Sequence, residues 1–254
     1  MNLSIEFPEI KVTTHTIKIG DGIELLKCIP SKSIPLIFAD LPYGTTKNSW
    51  DTVLDLENLW IEYKRVLTDN GCVLLFAQSP FNITLAASNM EWYRYEWIWE
   101  KTNATGHLNA NRMPMKAHEN ILVFYKNLPT YNPQKTIGHI RKVSTADHKR
   151  NSKETSNYGS HNKTGYDSTE RYPRSVLTFP SDKQKSKFHP TQKPISLLEY
   201  FILTYSNEGD TILDNTCGSG GTGVAAKKTL RNSILIDKNP EMESIIQYRL
   251  KNLK

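Results

Sequence analysis

The sequence predicts an α/β protein built on a doubly wound, mostly parallel sheet of seven strands with one antiparallel edge hairpin. Three observations lead to this prediction. Short apolar runs alternate with amphipathic stretches along much of the 254-residue chain. Two of the runs end in an acidic residue that is followed by a turn rich in Gly or Pro. Two others follow each other with no strong helical pattern between them, which is typical of an antiparallel pair.

The elements follow from the periodicity of the apolar residues. The predicted strands cover 14–20, 35–40, 72–77, 95–101, 120–126, 211–216 and 232–238. The predicted helices cover 54–67, 80–88, 195–205, 221–230 and 240–250. The strands 95–101 and 120–126 form the expected antiparallel hairpin. Trp97 and Trp99 alternate with Glu96, Ile98 and Glu100 in the first of them, which favours core packing over an exposed stacking surface.

The chain divides into three parts by composition. Residues 1–126 and 188–254 carry the alternating pattern and are expected to form one sheet together. Residues 127–187 are rich in polar residues, Gly and Pro and form a predicted insert. Between 135 and 187 there are twelve Lys or Arg and five Asp or Glu. The net charge of this segment therefore exceeds the +6 formal charge of the whole chain. A solvated loop, partly disordered between Ser144 and Ser168, and a polyanion-binding region both fit this composition.

Several classes of protein are disfavoured by composition. The chain has no apolar stretch of eighteen residues, and its first residues lack the basic and apolar blocks of an export signal. We therefore expect a soluble, cytoplasmic protein without a membrane partner. Cys28, Cys72 and Cys217 are far apart and form no C-x-x-C pair. Neither a disulfide framework nor a metal site is expected.

The stretch TILDNTCGSGGTGVAAKK, residues 211–228, joins a strand to an Ala-rich helix through several glycines. Such a turn lets the backbone approach a nucleotide-type cofactor closely. Asp237 ends the next strand, nineteen positions after Gly218, where an acid can bind ribose hydroxyls. Asp214 stands just before the glycines, where it repels pyrophosphate and suits an ammonium group. This favours S-adenosylmethionine over a dinucleotide, with a dehydrogenase as the rival interpretation.

The stretch ADLPYGTT, residues 39–46, also follows an apolar strand. In a doubly wound sheet it lies at the carboxyl edge of the strands, where such sheets bind ligands. Tyr43 can stack on a planar base while Asp40 accepts a hydrogen bond from an exocyclic amine. Pro42 stiffens the turn. An acidic turn with a packed tyrosine is the alternative interpretation of this stretch.

Together these stretches resemble the β-class amino DNA methyltransferases. ADLPYG resembles their D-P-P-Y signature, and TILDNTCGSGGTGVAA resembles their S-adenosylmethionine motif. The stretch HPTQKPISLLEYFILTYSNEGDTILDNTCGSG, residues 189–220, is similar to the segment that precedes and includes that motif. The resemblance implies a Rossmann-like sheet with circularly permuted motif order, and methyl transfer to DNA after base flipping.

The resemblance also implies residue roles. The residues expected to hold the flipped base are Asp40, Leu41, Pro42 and Tyr43. The residues expected near the methionine end of the cofactor are His189, Thr191 and Lys193. The remaining cofactor residues are Asp214, Gly218 and Gly220 in the main turn, Asp237 on the ribose and Asp21 on the adenine ring.

Two positions depart from the family pattern, and several interpretations stay open. Leu41 stands where the first proline of the signature is usual, and Gly221 stands where a threonine is frequent. The initial acid, Asp40, favours adenine N6 as the target, while cytosine N4 stays open. A glutamine amide in protein and a catalytically silent DNA-binding subunit are weaker alternatives. The expected partner is double-stranded DNA. The sequence is compatible with a monomer and with a homodimer. It is also compatible with a solitary enzyme and with one paired with a restriction enzyme.

Overall fold

A computed structural model describes residues 12–44, 54–144, 165–181 and 192–253. The chain divides into two compact units, Met1–Asn132 with Ser175–Lys254, and Pro133–Arg174. The second unit falls within the predicted insert. Most of the segment in which partial disorder is predicted lies outside the described residues. Among the described residues, no helix is long and apolar enough to cross a membrane.

The first unit contains an eight-stranded sheet. Its strands are β1 (His15–Ile19), β2 (Ile34–Ala39), β3 (Leu67–Ala77), β4 (Tyr93–Thr105), β5 (Lys116–Phe124), β8 (Val176–Phe179), β9 (Thr211–Asp214) and β10 (Asn232–Asp237). Their order across the sheet is β1-β10-β9-β2-β3-β5-β4-β8. Only the β3–β5 and β4–β5 pairs are antiparallel. The predicted mostly parallel sheet with an antiparallel hairpin is confirmed.

The sheet has one strand more than the seven predicted. Strand β8 lies in the predicted insert and pairs in parallel with β4, where Leu177 is the partner of Trp99. The β4–β5 hairpin is therefore not the outermost part of the sheet. Only four residues form β8, and half of them are exposed. So short a strand with one exposed face leaves too few apolar residues for a periodic signal in the sequence.

Helices cover both faces of the sheet. They are α1 (Gly22–Leu26), α2 (Leu56–Val66), α3 (Phe81–Ala87), α4 (Ile195–Tyr205), α5 (Gly221–Lys228) and α6 (Glu241–Lys251). The apolar residues of α1, α2 and α3 pack into one core, and those of α4 and α5 pack into another. The short helix α1 was not predicted from the sequence.

Strand β2 shows why its apolar run is continuous. Ile37 and Ala39 face the core beneath α1, α2 and α3, whereas Leu36 and Phe38 face the core beneath α4. A central parallel strand is buried on both faces, so both of its alternating sets must be apolar. Trp97 and Trp99 of β4 are also buried, which confirms the predicted packing role of that strand.

The topology defines where a ligand can bind. Strands β2 and β9 are neighbours in the sheet, and the chain proceeds from β9 to β10 on one side and from β2 to β3 on the other. Helix α5 follows β9 on one face and α2 follows β2 on the opposite face. A crevice opens at such a switch point, at the carboxyl ends of the two strands.

The second unit is small, and its contacts join its first residues to its last ones. Strands β6 (Lys142–Ser144) and β7 (Tyr166–Ser168) form a two-stranded antiparallel sheet. Arg141 pairs with Asp167 beside it. Lys135 pairs with Glu170 at 2.8 Å between Nζ and Oε2. These exposed pairs stabilise the unit weakly, because ions in water gain little on pairing.

Candidate active site

Four acidic residues line the carboxyl edge of four neighbouring strands. Asp237 and Asp214 are the last residues of β10 and β9, Asp40 follows β2 directly, and Asp21 follows β1 after one glycine. These strands are parallel and adjacent, so their ends meet at one edge. The structure thus gathers the four predicted acids along the switch-point crevice. Their summed charge attracts a cationic ligand.

Asp214 is buried at the centre of this edge. Its Oδ2 accepts a hydrogen bond from Thr222 Oγ1 at 2.6 Å, and its Oδ1 accepts one from Thr216 N at 3.1 Å. Burial raises the pKa of Asp214 to about 7; the charges of Asp40 and Asp237 add to the rise, and the two hydrogen bonds oppose it. An ionised Asp214 is therefore costly without a cationic partner.

The glycine turn after β9 is held by Asp237. Asp237 Oδ2 accepts a hydrogen bond from Gly218 N at 2.7 Å, and Oδ1 accepts one from Asn239 N at 2.8 Å. Gly218 and Gly220 have φ values of 51° and 76°, which side chains other than glycine adopt at a cost. A Cβ on Gly218 would meet no atom within 4 Å, so the backbone there borders open space.

Unsatisfied polar atoms beside the turn fit a polar ligand. Asn215 Nδ2 and Thr216 Oγ1 are buried and have no hydrogen-bond partner. Buried donors and acceptors rarely stay unpaired in a native protein unless a ligand or water completes them. Together with the acidic edge and the open space at Gly218, these atoms fit a cofactor with a cationic sulfonium, an ammonium and a ribose. They suit S-adenosylmethionine better than an anionic dinucleotide.

Asp21 has a local structural role. Its Oδ1 accepts hydrogen bonds from Ile23 N at 3.0 Å and Glu24 N at 3.1 Å, which caps the N-terminus of α1. Gly22 approaches Asn215, since a Cβ on Gly22 would lie 2.9 Å from the Asn215 carbonyl oxygen. Asp21 therefore fixes the β1–α1 turn against the cofactor turn, and its predicted contact with the adenine ring stays a prediction.

The DLPY turn presents one acid and one ring at the end of β2. Tyr43 Oη donates a hydrogen bond to Asp40 Oδ1 at 2.7 Å, and the Tyr43 ring stacks on Phe81 with centroids 5.2 Å apart. Leu41 is buried in the core beneath α1, α2 and α3, and Pro42 is half-buried. Leu41, the departure from the family pattern, thus anchors the turn by packing, while Asp40 faces the crevice.

Lys193 connects Asp40 to a buried carboxylate that the sequence did not reveal. Lys193 Nζ lies 2.8 Å from Asp40 Oδ2 and 2.8 Å from Glu119 Oε2. Lys101 Nζ lies 2.5 Å from Glu119 Oε1. Burial lowers the pKa of Lys193, but Asp40 and Glu119 outweigh it and hold that pKa above its usual value. Burial likewise raises the pKa of Glu119, yet its two lysines bring it down to about 2.

This placement adds to the predicted role of Lys193. The sequence predicted Lys193 beside the cofactor, whereas the structure places it on Asp40 and Glu119. His189 and Thr191 lie outside the described residues. Glu119 and Lys101 belong to the two facing strands of the hairpin, where Glu119 is the partner of Trp99. Lys101 ends WEK and Glu119 lies within HEN, and because both strands carry other charged residues, such as Glu96 and Lys116, no signal in the sequence singles out this pair.

The structure also locates a hydroxyl next to Gly221 and shows that two of the three cysteines are buried. Gly221 lacks the hydroxyl that is frequent at its position, and Thr222 supplies one to Asp214 instead. Cys72 and Cys217 are buried, and burial raises the pKa of both thiols above the usual value. A thiol so disposed is a poor nucleophile. No group of three or more His, Cys, Asp or Glu among the described residues is placed to hold a metal ion.

The fold and this acidic crevice are those of an α/β methyltransferase. A family model described as DNA methylase, of the N6/N4 methyltransferase type, matches residues 34–248, and the chain belongs to that family. The predicted family, fold class and enzyme class are confirmed. The chain is an S-adenosylmethionine-dependent enzyme that methylates DNA.

The relatives agree with this assignment. The type II methyltransferase M.HinfI of Haemophilus influenzae is 31% identical, over 94% of this chain and 69% of its own length. The DNA adenine methyltransferase YhdJ of Escherichia coli is 29% identical, over 92% of this chain and 80% of its own.

Solved structures show the same fold. The complex of M1.HpyAVI with S-adenosylmethionine superposes with a TM-score of 0.65 at 24% identity, over 94% of this chain and all of that one. The cytosine-N4-specific PvuII DNA methyltransferase also reaches a TM-score of 0.65 at 17% identity, over 95% of this chain and 89% of that one.

Proposed function

We propose that this protein transfers a methyl group from S-adenosylmethionine to the exocyclic N6 amine of adenine at a specific DNA sequence. The observation that carries the proposal is the position of Asp40. It lies at the end of β2, and Asp214, the proposed cofactor acid, lies at the end of the neighbouring strand β9. The carboxylate of Asp40 is oriented by Tyr43 and Lys193. Such an acid can accept a hydrogen bond from an amine while the methyl donor lies beside it.

Adenine is favoured over cytosine by the tetrapeptide and by one relative. The DLPY turn begins with an acid, which resembles the adenine enzymes of the family more than those for cytosine N4. YhdJ, named as an adenine methyltransferase, aligns over 92% of the chain. The cytosine-N4 enzyme PvuII shares the fold only.

The chemistry assigned to the protein is mainly positioning. The exocyclic amine of a base is a poor nucleophile, because its lone pair is delocalised into the ring. A hydrogen bond to Asp40, with another to the carbonyl of Leu41 or Pro42, favours a pyramidal nitrogen whose lone pair can attack. The cofactor would supply an electrophilic methyl on a cationic sulfur; as the N–C bond forms, the C–S bond breaks, the sulfur leaves as a neutral thioether, and the amine loses one proton to Asp40 or to water. In-line placement of amine and methyl then accounts for much of the acceleration.

Lys193 holds Asp40 until the base arrives. Its ammonium donates to Asp40 in the free enzyme and is also bound by Glu119. When the amine takes its place on Asp40, Lys193 keeps a carboxylate partner, so the exchange leaves no buried cation unpaired. A base within a duplex cannot reach Asp40, so the target must leave the stack at a cost of a few kcal/mol.

We also propose the division of labour along the chain. Residues 1–126 and 188–254 carry the catalytic and cofactor halves, and the basic insert 127–187 recognises double-stranded DNA around the target. Between 135 and 187 it has twelve Lys or Arg and only five Asp or Glu, and this positive net charge supports a polyanionic partner. M.HinfI is named as a type II methyltransferase, which supports a role beside a restriction enzyme. Since DNA is the substrate, we place the enzyme on the nucleoid in the cytoplasm.

The test is transfer of labelled methyl from S-adenosylmethionine to mixed-sequence duplex DNA, followed by nucleoside analysis. We expect N6-methyladenine from the wild type and at least a hundredfold lower rate from Asp40→Asn, since one preorganised hydrogen-bonding group contributes about 10² to 10³ in rate. Asp69→Asn is the matched control, because Asp69 is an exposed acid paired with Lys32 away from the crevice.

The outcomes separate the alternatives. N4-methylcytosine in place of N6-methyladenine would reassign the base. Tight cofactor binding with no methylated nucleoside would indicate a silent DNA-binding subunit. Equal rates for Asp40→Asn and Asp69→Asn would remove Asp40 from the chemistry.

A further inference from the structure

The β4–β5 hairpin extends into a long exposed segment, residues 102–118, which we name the finger. Every residue from 102 to 118 is exposed, in contrast to Glu119 and Asn120 at its base, which are buried. The finger nevertheless keeps some secondary structure, although the pairing register shifts between Glu100 and Thr105. Thr105 pairs with Lys116 across the hairpin, and His107–Asn109 form a single 3₁₀ turn at its end. A segment that buries none of its side chains gains little from folding and invites a functional explanation.

The finger projects from the edge that carries the active site. Strand β5 runs antiparallel to β3, so its amino end lies where β3 ends, and Ala77 is the partner of Asn120. Strand β4 runs antiparallel to β5, so its carboxyl end lies at the same edge. The residues between Lys101 and Glu119 therefore extend beyond the edge at which Asp40 lies.

The finger has the composition of a surface for nucleic acid. Arg112 and Lys116 are its charged residues, and residues 102–118 contain no Asp or Glu. His107 and His118 add hydrogen-bond donors. Three large apolar side chains are exposed on it: Leu108 at 87%, Met113 at 53% and Met115 at 41%. Basic residues interspersed with exposed apolar ones fit a polyanion with stacked bases, since the cations bind phosphates and an apolar side chain can enter a base step.

The base of the finger is tied to the catalytic acid. Lys101, where the finger leaves β4, binds Glu119, where it returns into β5, with 2.5 Å between Nζ and Oε1. Glu119 binds Lys193, which binds Asp40, each at 2.8 Å. Because these side chains are largely buried, the base of the finger is fixed relative to Asp40. A DNA segment held by the finger is thereby placed beside the site of methyl transfer.

We infer that the finger binds duplex DNA next to the target base, with Arg112 and Lys116 on backbone phosphates and Leu108 against the bases. The inference rests on the proposed function and adds a second DNA contact to the one proposed for the basic insert. DNA fits better than a second copy of the chain, because a basic finger without acids on a protein of +6 formal charge repels its own kind.

The test compares two double variants with the same loss of charge. Arg112→Gln/Lys116→Gln changes the finger. Lys32→Gln/Lys126→Gln is the control, since Lys32 precedes β2 and Lys126 follows β5, which places both at the opposite edge of the sheet. Binding to a fluorescent mixed-sequence duplex is measured by anisotropy across a range of KCl concentrations. Each lost phosphate contact lowers the slope of log K against log salt by about 0.9, so the finger variant should lose about 1.8 and the control about none.

A third variant, Leu108→Ala, tests the apolar contact without changing charge. It should keep the wild-type salt slope and lose methylation rate on a matched duplex. That rate should recover when the target base, identified from the wild-type product, is placed opposite a mismatch, because a mismatched base leaves the stack at lower cost. Cofactor affinity, measured by calorimetry, should be unchanged in all three variants.

Several results would overturn the inference. Equal salt slopes for the two double variants would show that the finger holds no phosphate. If the wild type sediments as a dimer and the Arg112→Gln/Lys116→Gln variant as a monomer with unchanged DNA affinity, the finger would be assigned to a second copy of the chain. Failure of the proposed function would look different. The wild-type protein would then bind DNA, its slope of log K against log salt would depend on the finger, and it would methylate no DNA.

Discussion

Replacing Asp214 by Asn should stabilise the protein at alkaline pH while it removes cofactor binding. Asp214 is buried and accepts hydrogen bonds from Thr222 Oγ1 and Thr216 N. An asparagine at this position can accept the Thr216 bond through its oxygen and donate to the Thr222 hydroxyl through its nitrogen. The change therefore keeps the shape and the hydrogen bonds and removes only the buried negative charge.

The magnitude follows from the pKa. The carboxyl of Asp214 titrates at about 7 in the folded state, against an ordinary value of 3.8. The folded state thus holds a proton that the unfolded state has lost, so wild-type stability falls as the pH rises from about 4 to about 7. The full cost above pH 7 is about 4 kcal/mol, at about 1.36 kcal/mol for each pKa unit. Between pH 5 and pH 8 the cost grows by about 2.5 kcal/mol.

The assay is urea unfolding of the wild type and of Asp214→Asn at pH 5 and pH 8, without cofactor. The free energy of unfolding of the variant, relative to the wild type, should be greater at pH 8 than at pH 5 by roughly 2.5 kcal/mol. Calorimetry at pH 8 should show that the variant no longer binds S-adenosylmethionine, since we propose that the carboxylate of Asp214 binds the ammonium of the cofactor. A stability difference that is independent of pH would refute the account of Asp214, and so would one that favours the wild type more at pH 8.

Three further substitutions test other parts of the site. Glu119→Gln leaves the two buried lysines on a neutral amide, so we expect about 3 kcal/mol lower stability in urea and a lower kcat with unchanged cofactor affinity; full activity at wild-type stability would show that the ion-pair chain has no role. Gly220→Ala should lower the stability of the cofactor-free protein by about 2 kcal/mol, because the new Cβ would lie 2.8 Å from Cγ1 of Ile246. Gly218→Ala, whose Cβ meets no atom within 4 Å, should lower that stability only by the backbone cost of about 1 kcal/mol, and equal losses of stability for the two glycine variants would contradict the steric explanation.

The sequence predicted the parts of the fold that local pattern governs. Strand β2 is a continuous apolar run, because a central parallel strand is buried on both faces and has no polar side to interrupt the pattern. The acids Asp40, Asp214 and Asp237 could be placed at one edge before the structure was known, since each ends a strand of a parallel sheet. The glycine turn was predicted for a similar reason, because a sharp turn needs residues without a Cβ.

Tertiary structure alone decided which distant residues meet. Glu119 and Lys101 are two of several charged residues in β5 and β4, and nothing in either strand predicts that Glu119 binds both Lys101 and Lys193 or that Lys193 also binds Asp40. Strand β8 joins the sheet because β4 offers it a free edge, while its own four residues carry no periodic signal. The finger was hidden for the same reason. The sequence specifies its hairpin, but its place beside Asp40 follows from strand order, which is set by packing between segments far apart in the chain.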